Sequence, residues 1–432
     1  MLTHLQLHQI GPAPDLEAEF GERVNLVTGD NGLGKTFLLD ACWYALTWSF
    51  AGNRAFYPSP TADKQDPPTI GFSVCRADAK EGPVSVSQAF DFGMRMWVNS
   101  EASQGASRTI NQSLVLYARI DGGFSVWQPV LSSDGSFKGG EAIHFRAADV
   151  WNGLSEGGSR DERVICNGFL RDVENWRLKG NGDFKTLQAV LEQLSASETE
   201  VMQIGPAERL GRDAMEIPTI QMPYGRVPVT LAASGMRRVL ALAYLLVWAW
   251  REHHIQSEIR REKPTRRMVL LFDEVEAHLH PKWQRVFLPA LHEVVRSLLM
   301  KDEADSVQII ATTHSPLITG SVESLWSDES DRLFDFDLED GKVEFECIPF
   351  HKLGAAEHWL ESDSFGLPSS YPVAAQKAIE AANDFMAKHP VPAKAPSEAA
   401  ATIHDELRKA LGGEDEFWPL WKPYFDRVKE SS

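Results

Sequence analysis

The stretch Gly29-Asp30-Asn31-Gly32-Leu33-Gly34-Lys35-Thr36 constrains this chain more than any other. It has the pattern G-x-x-x-x-G-K-[ST]. Residues 23–28 before it read as a short buried strand, and residues 37–46 after it, from Phe37, read as a helix that is apolar on most of its surface and runs to about Phe50. Strand, glycine turn and helix start in that order predict a phosphate site. The glycines let the backbone wrap so that N–H groups converge, and the helix N-terminus adds partial positive charge. Lys35 then reaches the β- and γ-phosphates, and the Thr36 hydroxyl sits on Mg²⁺.

Length and charge narrow the class. A chain of 432 residues suits two or three lobes rather than one small core. The net charge is −18, with 43 basic against 61 acidic residues, which disfavours general coating of nucleic acid but leaves room for one basic groove. Cys42, Cys75, Cys166 and Cys347 lie far apart with no C-x-x-C, so neither a disulfide framework nor a zinc site is expected, as suits a reducing cytoplasm. Residues 1–10 lack the basic start and apolar run of a signal peptide. The longest apolar stretch, residues 239–250, falls short of the ~20 residues of a membrane span.

Along the chain, residues 2–7 alternate as a strand, with residues 17–20 able to pair back. A Pro- and Asp-rich loop is expected at 52–68. Residues 69–150 look strand-rich, with loops at 99–113 and 131–141, and residues 160–202 look helical. Residues 332–348 alternate around Asp340-Gly341 as a hairpin. The rest, 355–432, reads as helices split by a loop at 389–396, with an aromatic anchor or docking surface at 416–421.

Three further blocks carry chemistry. Residues 268–272 are apolar without alternation and end in Asp273-Glu274, which reads as a central parallel strand with carboxylates at its C-terminal edge, where open α/β sheets bind ligands. There Asp273 can hold Mg²⁺ through water, and Glu274 is placed to orient or deprotonate attacking water. A second buried strand, 307–312, leads to His314, which is placed to meet the γ-phosphate. A small-residue turn, Ala232-Ala233-Ser234-Gly235-Met236, opens the apolar helix and is a weaker candidate anion site; a plain helix start is the commoner reading. His278 and His280 lack a third ligand at zinc spacing, and the loop 276–281 is expected instead to touch a partner subunit.

These blocks, in this order, resemble the ATP-binding-cassette ATPases of the SMC, RecF and OLD type. Within that group the chain resembles the AAA-type ATP-binding proteins found beside nucleases in bacterial defence loci, such as the ATPase of Septu-type systems. The likeness rests on residues 29–40, 233–250, 270–284 and 309–318, and less specifically on the tail 363–369. It implies an α/β P-loop fold. The ATPase head would comprise residues 1–50 and 228–350, with an inserted strand-rich and helical lobe at 51–227 and a helical C-terminal region at 351–432. It further implies a head-to-head dimer, or a higher oligomer, with two ATPs between protomers. Each ATP would touch Lys35, Thr36, Asp273, Glu274 and His314 of one chain, and Ser234, Gly235 and the loop 276–280 of the other.

The chain departs from that pattern at Ala233, which stands where a serine would contact the γ-phosphate. Gln88 is the candidate for the Mg²⁺-sensing glutamine. Asp335-Phe336-Asp337 matches the D-x-D of a Toprim nuclease but lies in an alternating strand without the surrounding domain, and reads as structural. The resemblance therefore implies an ATPase acting on a separate nuclease subunit, or on DNA or RNA. The alternatives are the nucleotide-binding subunit of a membrane transporter and a non-hydrolysing ATP-dependent scaffold. The basic run 260–267 reads as a solvated loop, with nucleic-acid contact as the functional alternative.

Overall fold

A computed structural model describes all residues except 52–65, 76–81, 101–110, 132–136, 158–161, 181, 198–199, 212–214, 300–306, 363 and 432. Most of the loop expected at 52–68, parts of those at 99–113 and 131–141, and Asp363 of the tail lie outside the described residues. The chain divides into two compact units, Met1–Trp359 and Leu360–Ser432.

The first unit is built on an eight-stranded sheet. Its strands, in chain order, are β1 (Val24–Gly29), β2 (Leu114–Ala118), β3 (Phe124–Leu131), β4 (Phe137–Phe145), β5 (Met268–Phe272), β6 (Val307–Thr312), β7 (Arg332–Glu339) and β8 (Lys342–Ile348). They lie in the order β8-β7-β1-β6-β5-β2-β3-β4. The five central strands, β7 to β2, run parallel, and the outer pairs are antiparallel. Asp340 and Gly341 turn the β7–β8 hairpin with φ of 48° and 77°, both left-handed as a tight hairpin turn requires.

Both faces of this sheet are covered, which is why its central strands read as continuous apolar runs. Val24, Leu26, Leu114, Leu116, Leu270 and Ile309 face one core with the long helix α2 (Ser234–Arg260). Val27, Val115, Tyr117, Val269, Leu271 and Ile310 face the other, with helix α1 (Lys35–Thr47) and a five-stranded antiparallel sheet made from residues 2–99. Two buried amides pin the antiparallel sheet and the turn at Gly21 to the central strands. Gln308 bonds to both Leu2 N and Leu2 O, at 2.9 and 2.7 Å, and to Gly21 O. Asn25 bonds to Gly21 N, Gly21 O and Ile309 O. Leaving either set unmade would cost about 1–3 kcal/mol per group.

One expectation changes. Residues 51–227 are inserted in sequence, but much of the stretch shares the head's sheets: β2 lies between β5 and β3, and residues 69–99 complete the antiparallel sheet. The apolar run 239–250 is the middle of a 27-residue helix. The second unit holds helices Val373–Lys388, Ser397–Ala410 and Trp418–Glu430, packed around Phe385, Leu407, Trp421 and Phe425. Trp421 is fully buried there, so it anchors its own unit rather than forming a docking face.

Candidate functional site

β1 delivers the chain into a turn that only glycine fits. Gly29 and Gly34 have φ of 118° and 115°. A Cβ on Gly29 would lie 2.2 Å from the Phe336 carbonyl oxygen, and one on Gly34 would lie 2.3 Å from Pro12 Cγ. Leu33 is buried and anchors the loop, while Asp30, Asn31 and Gly32 form an exposed rim. α1 then starts at Lys35 with no side chain capping it, so its first N–H groups are left for a ligand.

Lys35 is buried, and its Nζ donates to Gly29 O at 2.8 Å and Asp30 O at 2.6 Å. Burial pulls its pKa down, while the carboxylates of Glu274, Asp30, Asp273 and Glu276 oppose the shift. Thr36 donates to both oxygens of Asp273, at 2.8 and 3.1 Å, and Thr312 Oγ1 donates to Oδ1 at 3.1 Å. Asp273 is 1% exposed at the end of β5. Burial pushes its carboxyl up first; the hydroxyl bonds hold it down, Glu274 adds to the rise and Arg238 opposes it. A hydroxyl and a carboxylate converging on one point are the oxygen donors a hard cation such as Mg²⁺ selects. The chemistry of the set therefore fits the ion.

Glu274 follows with a left-handed φ of 46°, and its N–H is held by Thr312 Oγ1 at 2.8 Å. Such a backbone costs about 1–2 kcal/mol in a non-glycine residue. His314 Nε2 lies 4.0 Å from Glu274 Oε1 and is buried without a hydrogen-bond partner among the described residues. β1, β5 and β6 thus bring Lys35, Thr36, Asp273, Glu274 and His314 to one edge of the sheet.

Ser234 and Gly235 open α2, after Ala233 at an N-cap position with no side-chain hydrogen bond. A Cβ on Gly235 would lie 2.4 Å from the His278 carbonyl oxygen, so this turn is pressed against the loop after Glu274. Ser234 and Gly235 line a cleft of about 1020 Å³ with Met222, Tyr224, Leu279 and Trp283, and no residue of the phosphate loop lines it. Within one chain, then, the signature turn faces its own cleft.

Two stretches of the chain match known families. Residues 185–319 match the family model described as an AAA ATPase domain, and residues 4–93 match one described as an AAA domain. These two stretches are thus similar to AAA-type ATPase domains. Over 56 residues the chain is 34% identical to the retron Ec83 probable ATPase of Escherichia coli, an alignment that takes in 13% of this chain and 9% of that relative. The SMC head domain from Thermotoga maritima aligns over 81% of this chain and 99% of its own, at 14% identity and a TM-score of 0.39. The recombination mediator protein RecF with ATP aligns over 80% and 99%, at 15% identity and a TM-score of 0.36.

The remaining candidates of the sequence have defined places in the fold. Gln88 is buried inside the antiparallel sheet, its Oε1 taken by Tyr44 and its Nε2 given to Asn99, both at 2.9 Å. Those bonds commit both ends of the amide to structure, so it is a poor Mg²⁺ sensor. Glu276 points into its own chain, where it accepts from Thr313 and His314. His280 caps the short helix Pro281–Gln284, accepting from Lys282 N at 3.2 Å. Asp335 accepts from Thr28 Oγ1 at 2.6 Å across the β7–β1 pairing, and burial pushes its carboxyl up to about 6. Arg238, near the start of α2, is half-buried and donates to the Asp273 carbonyl at 3.3 Å. Thr312 was missed because threonine at a strand end is commonplace, and only the fold brings its hydroxyl to Asp273.

Proposed function

We propose that this protein binds ATP with Mg²⁺ and hydrolyses it as an ATP-sandwiched, head-to-head dimer whose opening and closing switches a separate nuclease subunit or engagement of DNA or RNA. The observation that carries the reading is the meeting of Thr36 and Asp273, 237 residues apart in sequence and 2.8 Å apart in space, beside the buried Lys35. Thr36 and Asp273 would hold Mg²⁺, which supplies charge neutralisation at the phosphate oxygens. Lys35 and the N–H groups of residues 30–36 bind the β- and γ-phosphates. Lys35 exchanges its loop carbonyls for phosphate oxygens, which restores its charge partner in a dry site. Glu274 accepts a proton from the attacking water as its oxygen bonds to the γ-phosphorus and the bond to the ADP oxygen breaks. His314 faces the same phosphoryl group from beside Glu274. Ser234 and Gly235 of the partner subunit would close the site. The likeness to a retron ATPase supports a place among bacterial defence or DNA-maintenance proteins.

The test is ATP turnover together with mass by light scattering, for wild type and Glu274→Gln, with and without ATP and Mg²⁺. Wild type is expected to turn over slowly, and the variant to stop turnover while forming a stable ATP-dependent dimer. Wild type that neither binds nor hydrolyses ATP, and keeps one mass throughout, would overturn the proposal.

A further inference from the structure

The acid two residues beyond Glu274 has a defined place in the fold. Glu276 accepts the His314 backbone N–H on Oε1 at 2.6 Å and the Thr313 hydroxyl on Oε2 at 2.7 Å. The Thr313 hydroxyl in turn accepts from Ser315 N at 3.0 Å. The turn that carries Glu276 is tied to the same strand end by two more bonds, Glu274 N to Thr312 Oγ1 at 2.8 Å and Val275 N to Thr312 O at 3.1 Å. It is closed on itself by Ala277 N to Glu274 O and Leu279 N to Glu276 O, both at 2.8 Å. The His314 ring receives no such support: its Nε2 is buried without a hydrogen-bond partner among the described residues, 4.0 Å from Glu274 Oε1. The ring is therefore placed by its backbone, and the backbone is placed by Glu276.

We infer that Glu276 is a positioning residue: its carboxylate clamps Thr313 and His314 so that the imidazole is held beside Glu274 at the phosphoryl-transfer end of the site. This rests on the ATP-hydrolysis reading above. A carboxylate suits the task because two separate oxygens can each accept one short bond, which fixes the strand end in two directions. Glu276 does not enter the proton transfer in this scheme; its two oxygens are already occupied by donors that stay in place. The rival assignment is that Glu276 is itself the base, and the variants separate the two.

Glu276→Gln keeps an acceptor for the His314 N–H and lets the amide NH₂ donate to Thr313 Oγ1, so the clamp survives without the charge. Glu276→Ala removes it, and Thr313→Val removes one arm together with the acceptor of Ser315 N. The measurements are kcat and KM for Mg-ATP, and amide hydrogen exchange across residues 312–318 in the nucleotide-free protein. In the Gln variant, kcat is expected within about threefold of wild type and exchange unchanged. In the Ala variant, kcat is expected to fall about 10- to 100-fold, the scale of a misplaced active-site group, with KM nearly constant and exchange at His314 faster. Thr313→Val is expected to fall between them and covers the case in which the Ala variant does not fold. A Gln variant as inactive as Glu274→Gln, or an Ala or Val variant with unchanged kcat, would overturn the inference. If wild type shows no turnover, the hydrolysis reading fails on its own, and unchanged exchange in the Ala and Val variants would still sink the clamp.

Discussion

Two helix starts carry the candidate phosphate-binding groups of this protein, and they are built in opposite ways. α1 begins behind glycines that no other residue can replace, with a buried lysine and a carboxylate bonded to Thr36 at its mouth. α2 begins behind Ala233 with no side-chain cap, in an apolar-lined cleft, and its turn rests on the backbone of His278. The first end gathers a buried lysine, a buried carboxylate and two hydroxyls from α1, β5 and β6 within one chain, a set suited to a phosphate. The second offers small residues and backbone, which suit close approach by another surface better than charge stabilisation. On the proposed reading, the difference teaches that the two ends answer to different perturbations, catalysis at one and association at the other.

Lys35→Ala is expected to give the largest effect, a loss of about 100-fold or more in turnover, because one preorganised charge is typically worth that much in a dry site. Phosphate release measures it, and near-normal turnover would remove Lys35 from the site. A pair of glycine substitutions then sets one end against the other. Gly29→Ala must hold a positive φ of 118° and meet a carbonyl oxygen at 2.2 Å, and should cost about 2 kcal/mol or more in thermal unfolding. Gly235→Ala carries no positive φ, but its Cβ would still meet the His278 carbonyl oxygen at 2.4 Å, so the turn must shift away from that loop. Without the backbone strain it should cost less in unfolding than Gly29→Ala, while weakening ATP-dependent dimerisation. Equal effects of both on unfolding would erase the contrast.

Asp335 gives a smaller, pH-dependent effect. Its carboxyl rises from an ordinary value near 3.8 in the unfolded chain to about 6 in the fold, so the folded state holds its proton to higher pH. The proton bound in the fold leaves stability untouched below about pH 4, its loss erodes stability as pH rises toward about 6, and the effect is constant beyond that. Asp335→Asn keeps an acceptor for Thr28 and should remove this erosion. The difference in Tm between variant and wild type should grow from about pH 4 to about 6 and then level off; a flat difference would reject the assignment. The smallest effect is expected at the basic run after α2. Arg261 and Arg266 are exposed, whereas Arg267 is partly buried and donates to Cys75 O. Glutamine at Arg260, Arg261 and Arg266 should leave turnover and the salt dependence of DNA binding unchanged. A salt slope lowered by about 2–3 would instead assign the run to phosphate contacts.

Much of this was legible before any coordinates, because local physics writes it into short windows. The glycine turn, the apolar strands ending in Asp273 and His314, and the Asp340-Gly341 hairpin are each determined by residues within a few positions of one another. β2 could not be assigned to the central sheet that way: an apolar strand suits either sheet, and only its pairing with β5, Leu114 opposite Met268, places it. Gln88 failed for the same reason. Its chemistry matched an Mg²⁺ sensor, but Tyr44 and Asn99 claim its amide.

The sequence by itself determined which candidate groups for phosphate chemistry this protein carries, since a glycine turn and a strand-end acid pair are local patterns. The tertiary structure alone decided how those groups are held. Thr312 bonds to Asp273, Glu276 holds His314, Arg238 reaches the Asp273 carbonyl, and Phe336 and Pro12 exclude any side chain from the glycine turn. Each of these joins residues far apart in the chain through a hydrogen bond or a contact only a few ångströms long. No local preference encodes such a distance; it exists only once the parallel strands are in register and their ends meet.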